Sequence, residues 1–596
     1  MILCLPPELI YSVAAFLPTA GCLVRLAQTC RRLYEIIAAD NYRIFQAFVQ
    51  GQYPTVTVPP LWRDAAHALT LRSHAFRRRA VTARFVELPP NTVRIGKPKT
   101  TRRDRPTLGY RPVIDSYESW YGNHWFARKE VLAWGAGADV VLRIKHLSRY
   151  EVGEAESVGQ KDSYDGAKWI LFNDLHNVNS WDDVAGLHLL GGSYSAGFPD
   201  AEDLIVGHRN GKLAYLSISP SQGSATYKAR FDTQGHNLDY TDLSTGTERV
   251  LAASLDRQHI SFYRLDSEDD TVQPFASLKT SSHGSSKNRC SKLLSNQQIV
   301  VGADGESAKI DIFSFDPTDV KKERSIRIED DEEGRKPRVT EMVPLPALHS
   351  MDDMKSSDLF LSGWEDRHER LMVGSGANAL LKIFDLRVSG KYHVDARNIS
   401  SSISKQSHQP KGSNPYLRHL MNPPVYPSKD ISIFLNYRLS ENRFAIRLPR
   451  SGERRYRGPI YTMSLPSPTS STLYVGLVNT VVRLDMVGTE DILANGNGKT
   501  GENWSLANLS SGFNAQAASE HQPFELACYE RPLPEDGGRG VRLLVQKPFW
   551  GSSRRRATDV KGEYDDCMPG WDDRWYQPSA DRSNRRKGPW REGCNR

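Results

Sequence analysis

Apolar residues recur at helical spacing from the start of the chain. Leu9, Val13 and Phe16 fall three or four positions apart, as do Leu23, Leu26, Cys30, Leu33 and Ile37, which predicts two short amphipathic helices separated by a turn at Phe16-Leu17-Pro18. So small a pair cannot bury both apolar faces within itself, and one face is expected to be left for a partner or for the rest of the chain. Residues 41–50 read as a further short helix ending near Gly51, after which Pro54, Pro59 and Pro60 break the chain. Helical spacing returns from Leu61 to Leu88, carried by Trp62, Ala65, Ala66, Leu69, Leu71, Phe76, Ala80, Ala83 and Phe85 with arginines between them. This stretch is expected to form a rigid spacer helix.

From about residue 90 the period changes to two. Apolar runs alternate with small-residue turns, as in Val131–Trp134 followed by Val140–Ile144, Leu204–Gly207 by Leu213–Leu216, and Val250–Ala253 by Ile260–Tyr263. Ile299–Gly302 with Lys309–Phe313, Leu371–Gly374 with Leu381–Leu386, and Leu473–Gly476 with Val481–Leu484 repeat the pattern. The step is 47 residues from Leu204 to Leu251 and 48 from Leu251 to Ile299. A repeat in the forties with four strands per unit predicts a β-propeller. These six units and a further one at 430–448 favour seven blades, with six as the alternative and a β-sandwich with added sheets as the rival architecture. Ring closure is expected to pair a strand from 108–116 with one from 541–546.

The N-terminal string Leu5-Pro6-Pro7-Glu8-Leu9, Leu17-Pro18 and Leu26-Ala27-Gln28-Thr29-Cys30-Arg31-Arg32-Leu33 resembles an F-box over roughly residues 4–40. It departs at Thr19-Ala20-Gly21-Cys22, where the family usually carries an Asp that would cap the second helix. With the spacer and the degenerate repeats (Phe384-Asp385 stands where Trp-Asp is usual), the chain is similar to F-box/WD-repeat-like proteins. That resemblance implies a substrate receptor of a Skp–cullin–F-box ubiquitin ligase, non-catalytic in its own residues. Leu5, Pro6, Leu9, Ile10, Val13, Leu17, Pro18, Leu23, Leu26, Cys30 and Leu33 would supply the helical packing and the surface that meets a Skp-type adaptor, and through it a cullin. The propeller would hold a protein substrate at a rim or in its channel, an acidic or phosphorylated segment being one such target. The alternative role is an F-box scaffold acting outside the ubiquitin system.

The implied organisation is an F-box at 1–50, a spacer at 51–90, a propeller at 91–550 with exposed insertions at about 316–347 and 396–428, and a disordered basic tail at 551–596. Composition fits: 39% hydrophobic residues with 24 Tyr, 20 Phe and 12 Trp supply a large core. The net charge of +8 is concentrated, with thirteen Lys/Arg against three acids in residues 61–112. That segment reads as a solvated helix face and connector; nucleic-acid binding is not expected without interleaved aromatics. Seven scattered cysteines with no C-x-x-C pair predict neither disulfides nor zinc, which fits a reducing, cytoplasmic or nuclear setting. No membrane segment is expected, since Pro6, Pro7, Glu8 and Pro18 interrupt the first apolar run. No cofactor is expected. Gly374-Ser375-Gly376 leads into a strand rather than a phosphate-binding helix, residue 493 is Leu where a P-loop ending at Gly498-Lys499-Thr500 needs Gly, and Asp311, Asp316 and Asp319 lack the loop-ending Glu of a calcium site.

Overall fold

The computed structural model of the chain describes residues 5–15, 17, 19–53, 56, 59, 61–97, 109–120, 125, 128–147, 167–175, 178–191, 200–244, 249–266, 269–279, 287–304, 309–327, 358–362, 369–374, 378–385, 431–435, 458–488, 524–530, 542–546, 572 and 574–576. Four α-helices come first among them: α1 (Pro7–Ala15), α2 (Ala20–Thr29), α3 (Arg31–Gln52) and α4 (Trp62–Arg77). Their shared core gathers Ile10, Leu23, Leu33, Ile37, Ile44, Phe45, Phe48, Val49 and Leu69. Thr19 replaces the missing Asp cap, its Oγ1 accepting from the Cys22 amide at 3.2 Å. The expected boundary near residue 41 becomes a distortion within α3, where Asp40 and Tyr42 adopt left-handed backbone angles (φ 50° and 63°).

Apart from a short 3-10 helix at Ser180–Asp182, the remaining elements are strands. Six sheets are present among the described residues, five built on four consecutive or nearly consecutive strands and the sixth on three. In the first, Ile114–Trp120, Arg128–Ala136, Asp139–Leu147 and Lys168–Asn173 run antiparallel, with Val93–Gly96 added in parallel outside. The second uses Val184–Leu189, Glu202–His208, Leu213–Ser219 and Ser224–Phe231; the third Leu238–Leu243, Val250–Leu255, His259–Arg264 and Ala276–Lys279. The fourth comprises Lys287–Ser295, Gln298–Asp304, Lys309–Phe315 and Val320–Arg327. The fifth begins Asp358–Ser362, Glu369–Gly374, Leu380–Asp385, Ile431–Phe434 and is extended by Leu526–Glu530, Arg542–Gln546 and Trp575–Tyr576. The sixth takes Thr462–Ser464, Thr472–Leu477 and Thr480–Asp485, completed by Thr82–Val86 from the other end of the chain. Successive antiparallel strand units, most of them touching their neighbours through their first strands, make an all-β propeller after an all-α start.

The first strands are stapled by polar contacts. Ser464 Oγ meets Ser116 Oγ at 2.6 Å, and Asp115 accepts from the Leu189 amide at 2.7 Å. His188 Nε2 pairs with Thr241 Oγ1 at 2.9 Å, and Asp242 accepts from the Leu293 amide at 2.6 Å. Gly186 permits the approach of the second and third sheets, since a Cβ there would stand 2.2 Å from Thr241 Oγ1. Apolar layers fill the space farther out, such as Val131, Leu142, Leu187 and Leu204 between the first and second sheets.

Five expectations are corrected. The spacer helix ends at Arg77 rather than running to Leu88, because Thr82-Ala83-Arg84-Phe85-Val86 pairs antiparallel with Thr480–Asp485. That pairing joins the two ends of the propeller; the segments expected to do so serve elsewhere, Ile114–Trp120 as the first strand of the first sheet and Arg542–Gln546 inside the fifth. The segment 430–448 contributes Ile431–Phe434 as the fourth strand of the fifth sheet. Val320–Arg327, placed from sequence in an exposed insertion, is the fourth strand of its sheet, with Ile326 paired to Ile310. The insertion at 396–428 lies outside the described residues. Most of 551–596 also does, but Asp572 and Trp575 are only 1% exposed, so the tail expected to be disordered has a buried segment.

Candidate functional site

The residues picked from sequence on α1 to α3 separate by face. Ile10, Leu23 and Leu33 are interior, and Leu5, Leu17, Leu26 and Cys30 pack half-buried against the same core. Leu9 and Val13 point outward, each 49% exposed, and Pro6 is exposed as well; Pro18 lies outside the described residues. Val24 on α2 and Tyr34 on α3, which sequence reasoning did not single out, are 46% and 55% exposed. Four of the eight large apolar side chains exposed among the described residues are thus on these three short helices. The one-turn spacing of Leu9 and Val13 puts them on one stripe of α1, with Ile10 and its core contacts turned about 100° away.

The helix α4 fixes these three helices to the propeller. Ala66 and Leu69 on its first half belong to the helical core, while Ala75 and Phe76 on its second half belong to the core of the fifth and sixth sheets, among Met372, Leu381, Ile433, Leu473 and Leu544. Thr70 Oγ1 accepts from the Ala20 amide at 3.1 Å, and Ser73 Oγ meets Tyr53 Oη at 3.0 Å. Arg72, 1% exposed, donates Nη1 to the carbonyls of Pro468 (2.7 Å) and Ser470 (2.9 Å). Arg72, Arg79 and Arg84 are all buried, so these three do not lie on the solvated face that charge alone suggested, whereas Arg63 and Arg94 are exposed.

The C-terminal segment locks the junction. The Asp572 amide donates to the Arg78 carbonyl (2.8 Å), and Trp575 Nε1 to the Arg79 carbonyl (2.8 Å). Arg574 reaches Asp572 through Nε (2.7 Å), Thr82 Oγ1 through Nη1 (2.7 Å) and the Val487 carbonyl through Nη2 (3.1 Å). A Trp-Asp-Asp-Arg-Trp run in a polar, glycine-containing tail was the available signal.

Strand direction assigns the two propeller faces. The helix α4 docks on the face bearing the hairpin 465–471. The opposite face carries the hairpins 137–138, 209–212, 256–258 and 478–479 and the connectors 109–113, 178–183 and 232–237. These loops bond from sheet to sheet: Tyr110 to Asn479, the Val184 amide to the Gly137 carbonyl, Asn210 to Asp182, the Leu238 amide to the Arg209 carbonyl. Trp181 stands on this far face, 59% exposed. Asp316, once weighed for calcium, instead receives Thr318 and Asp319 amides in a turn.

Residues 2–46 match the F-box-like domain family, and the chain therefore carries an F-box-like domain followed by a propeller. F-box domains as a class bind Skp-type adaptors. Among solved structures, the chain is similar to the β-propeller domain of Nup133 from Vanderwaltozyma polyspora, at 8% identity and a TM-score of 0.22, over 43% of this chain and 67% of that one. Among curated proteins there is no match. Among the described residues no helix is long and apolar enough to cross a membrane.

Proposed function

We propose that this protein is a non-catalytic substrate receptor of a cullin-based ubiquitin ligase, α1 to α3 binding a Skp-type adaptor and the far face of the propeller binding the target protein. The observation that carries the reading is the group of exposed Leu9, Val13, Val24 and Tyr34 on the F-box-like helices. The strut α4 supports it, because transfer of ubiquitin to a held substrate needs a fixed span between adaptor and target. The far face supports it too: its loops are bonded to one another before any ligand arrives, which lowers the ordering cost of binding.

The test is co-purification of the full chain with a Skp-type adaptor. Native protein is expected to capture adaptor and cullin together. Leu9→Asp with Val13→Asp should lower adaptor capture at least ~10-fold, about 1.4 kcal/mol or more, with the melting temperature unchanged because neither side chain is interior. No capture by the native chain, or full capture by the double variant, removes the reading. Capture of adaptor without cullin moves the protein to a scaffold outside the ligase.

A further inference from the structure

The seam between the first and sixth sheets holds an imbalance of buried charge. Arg84 of the closing strand lies opposite Arg483 in the ladder, and Thr82 lies opposite Asp485. The first sheet contributes Glu130, Arg143 and Lys145, and the C-terminal segment adds Asp572 and Arg574. Apart from Arg483, whose side chain is 11% exposed, every charged member is less than a tenth exposed. Four arginines and Lys145 therefore meet three carboxylates, and burial pushes the Lys145 ammonium well below the ordinary lysine range.

Each carboxylate already has its own cation. Glu130 pairs with Arg143 and accepts from Tyr474 Oη at 2.6 Å; Asp485 pairs with Arg483 at 2.9 Å and accepts from Thr472 Oγ1 at 2.7 Å; Asp572 pairs with Arg574. Arg84 is left over. Only 8% exposed, its side chain forms no hydrogen bond or ion pair among the described residues, and its Nε is sealed from solvent. Burial lowers its pKa to about 10 against the attraction of Asp485, with Arg483 and Arg574 adding repulsion, so it still carries its charge at neutral pH. A buried guanidinium presents several donors in a fork suited to an oxyanion and no acceptor of its own. Proteins do not bury such a charge without a partner.

We propose that Arg84 anchors a buried oxyanion site at this seam, occupied by an ion of phosphate size. Asp485 Oδ2, buried and without a hydrogen-bond partner, belongs to the same charge cluster. A hydrogenphosphate can donate its proton to such an oxygen while accepting from Arg84; sulfate, which has no proton at neutral pH, cannot. Arg574 is tied to the same strand through Thr82, so the bound ion would fasten the closing strand and the C-terminal segment to the first sheet.

The test compares thermal unfolding of the full chain in phosphate, sulfate and chloride at matched ionic strength. Sulfate controls for general exclusion from the protein surface, which stabilises any fold. Native protein is expected to gain several degrees in phosphate beyond its gain in sulfate. Arg84→Met should lose that difference and, in chloride, melt at or above the native temperature, because the uncompensated charge is gone. Should Arg84→Met fail to fold, Arg84→Lys and equilibrium dialysis of the native chain against labelled phosphate replace it: about one ion bound per chain, weakened at least tenfold by the lysine. A native gain no larger than that in sulfate, a gain that persists in the variants, or no bound ion in dialysis overturns the site.

Discussion

His188 shows how much a single position depends on its surroundings. Its ring lies on the first strand of the second sheet and meets Thr241 of the third. Burial drives its pKa down to about 4; Asp242 pulls the other way and Lys292 adds repulsion. The folded protein therefore resists a proton that the unfolded chain takes up near pH 6.5, and stability from this group is present above that pH and lost as pH falls toward about 4. Asp115, raised by burial to about 6 despite amide hydrogen bonds from Leu189 and Ser116 and the nearby Lys292, acts in the opposite sense: its contribution is full below its unfolded value and lost as pH rises through about 6. Urea midpoints at pH 7, 5.5 and 4.5 separate the two. The stability of His188→Gln relative to native protein should rise as pH falls across this range, whereas that of Asp115→Asn should fall. Neither group is marked in the sequence, because nothing local distinguishes a histidine or aspartate buried between neighbouring sheets from one in an exposed turn.

At the scale of elements, α4 and the segment around Trp575 decide how the two halves are joined. The sequence shows α4 plainly: its apolar positions recur at helical spacing on both halves. It does not show that one half enters the helical core and the other the propeller core, since the two destinations call for the same side chains. The helix ends where β-sheet pairing with Thr480–Asp485 outcompetes further helical turns, a long-range contact that local propensity cannot report. The Trp575 segment is the converse case, a few apolar residues in a stretch whose average composition reads as disorder. Trp575→Ala removes a ring that is 1% exposed and its hydrogen bond to the Arg79 carbonyl. A loss of about 3–5 kcal/mol is expected, with faster proteolysis around residues 78–81 than in native protein. An unchanged melting temperature and cleavage rate would show that this segment holds nothing together.

For the whole molecule, the decisive feature is closure. Thr82–Val86 completes the sixth sheet from a position almost 400 residues away in sequence, so the ring and the helical half share one strand-to-helix junction. The Ala83 carbonyl accepts from Phe524 on the outer side, which turns the amides of residues 82, 84 and 86 toward the 480–485 strand. Val86→Pro removes one of those amides and a buried side chain, and should cost about 3 kcal/mol or more. Hydrogen exchange of 480–485 should accelerate; protection equal to native would place closure elsewhere. By itself, the sequence determined the helical start, the change to period two near residue 90, the repeating hairpins and the F-box resemblance, because each is written in side-chain spacing over a few turns or strands. Only the tertiary structure decided which strand closes the ring, that Leu9 and Val13 face outward while Ile10 faces in, and that arginines of a seemingly solvated basic stretch are buried. Those outcomes depend on contacts between residues tens to hundreds of positions apart, which leave no local pattern to read.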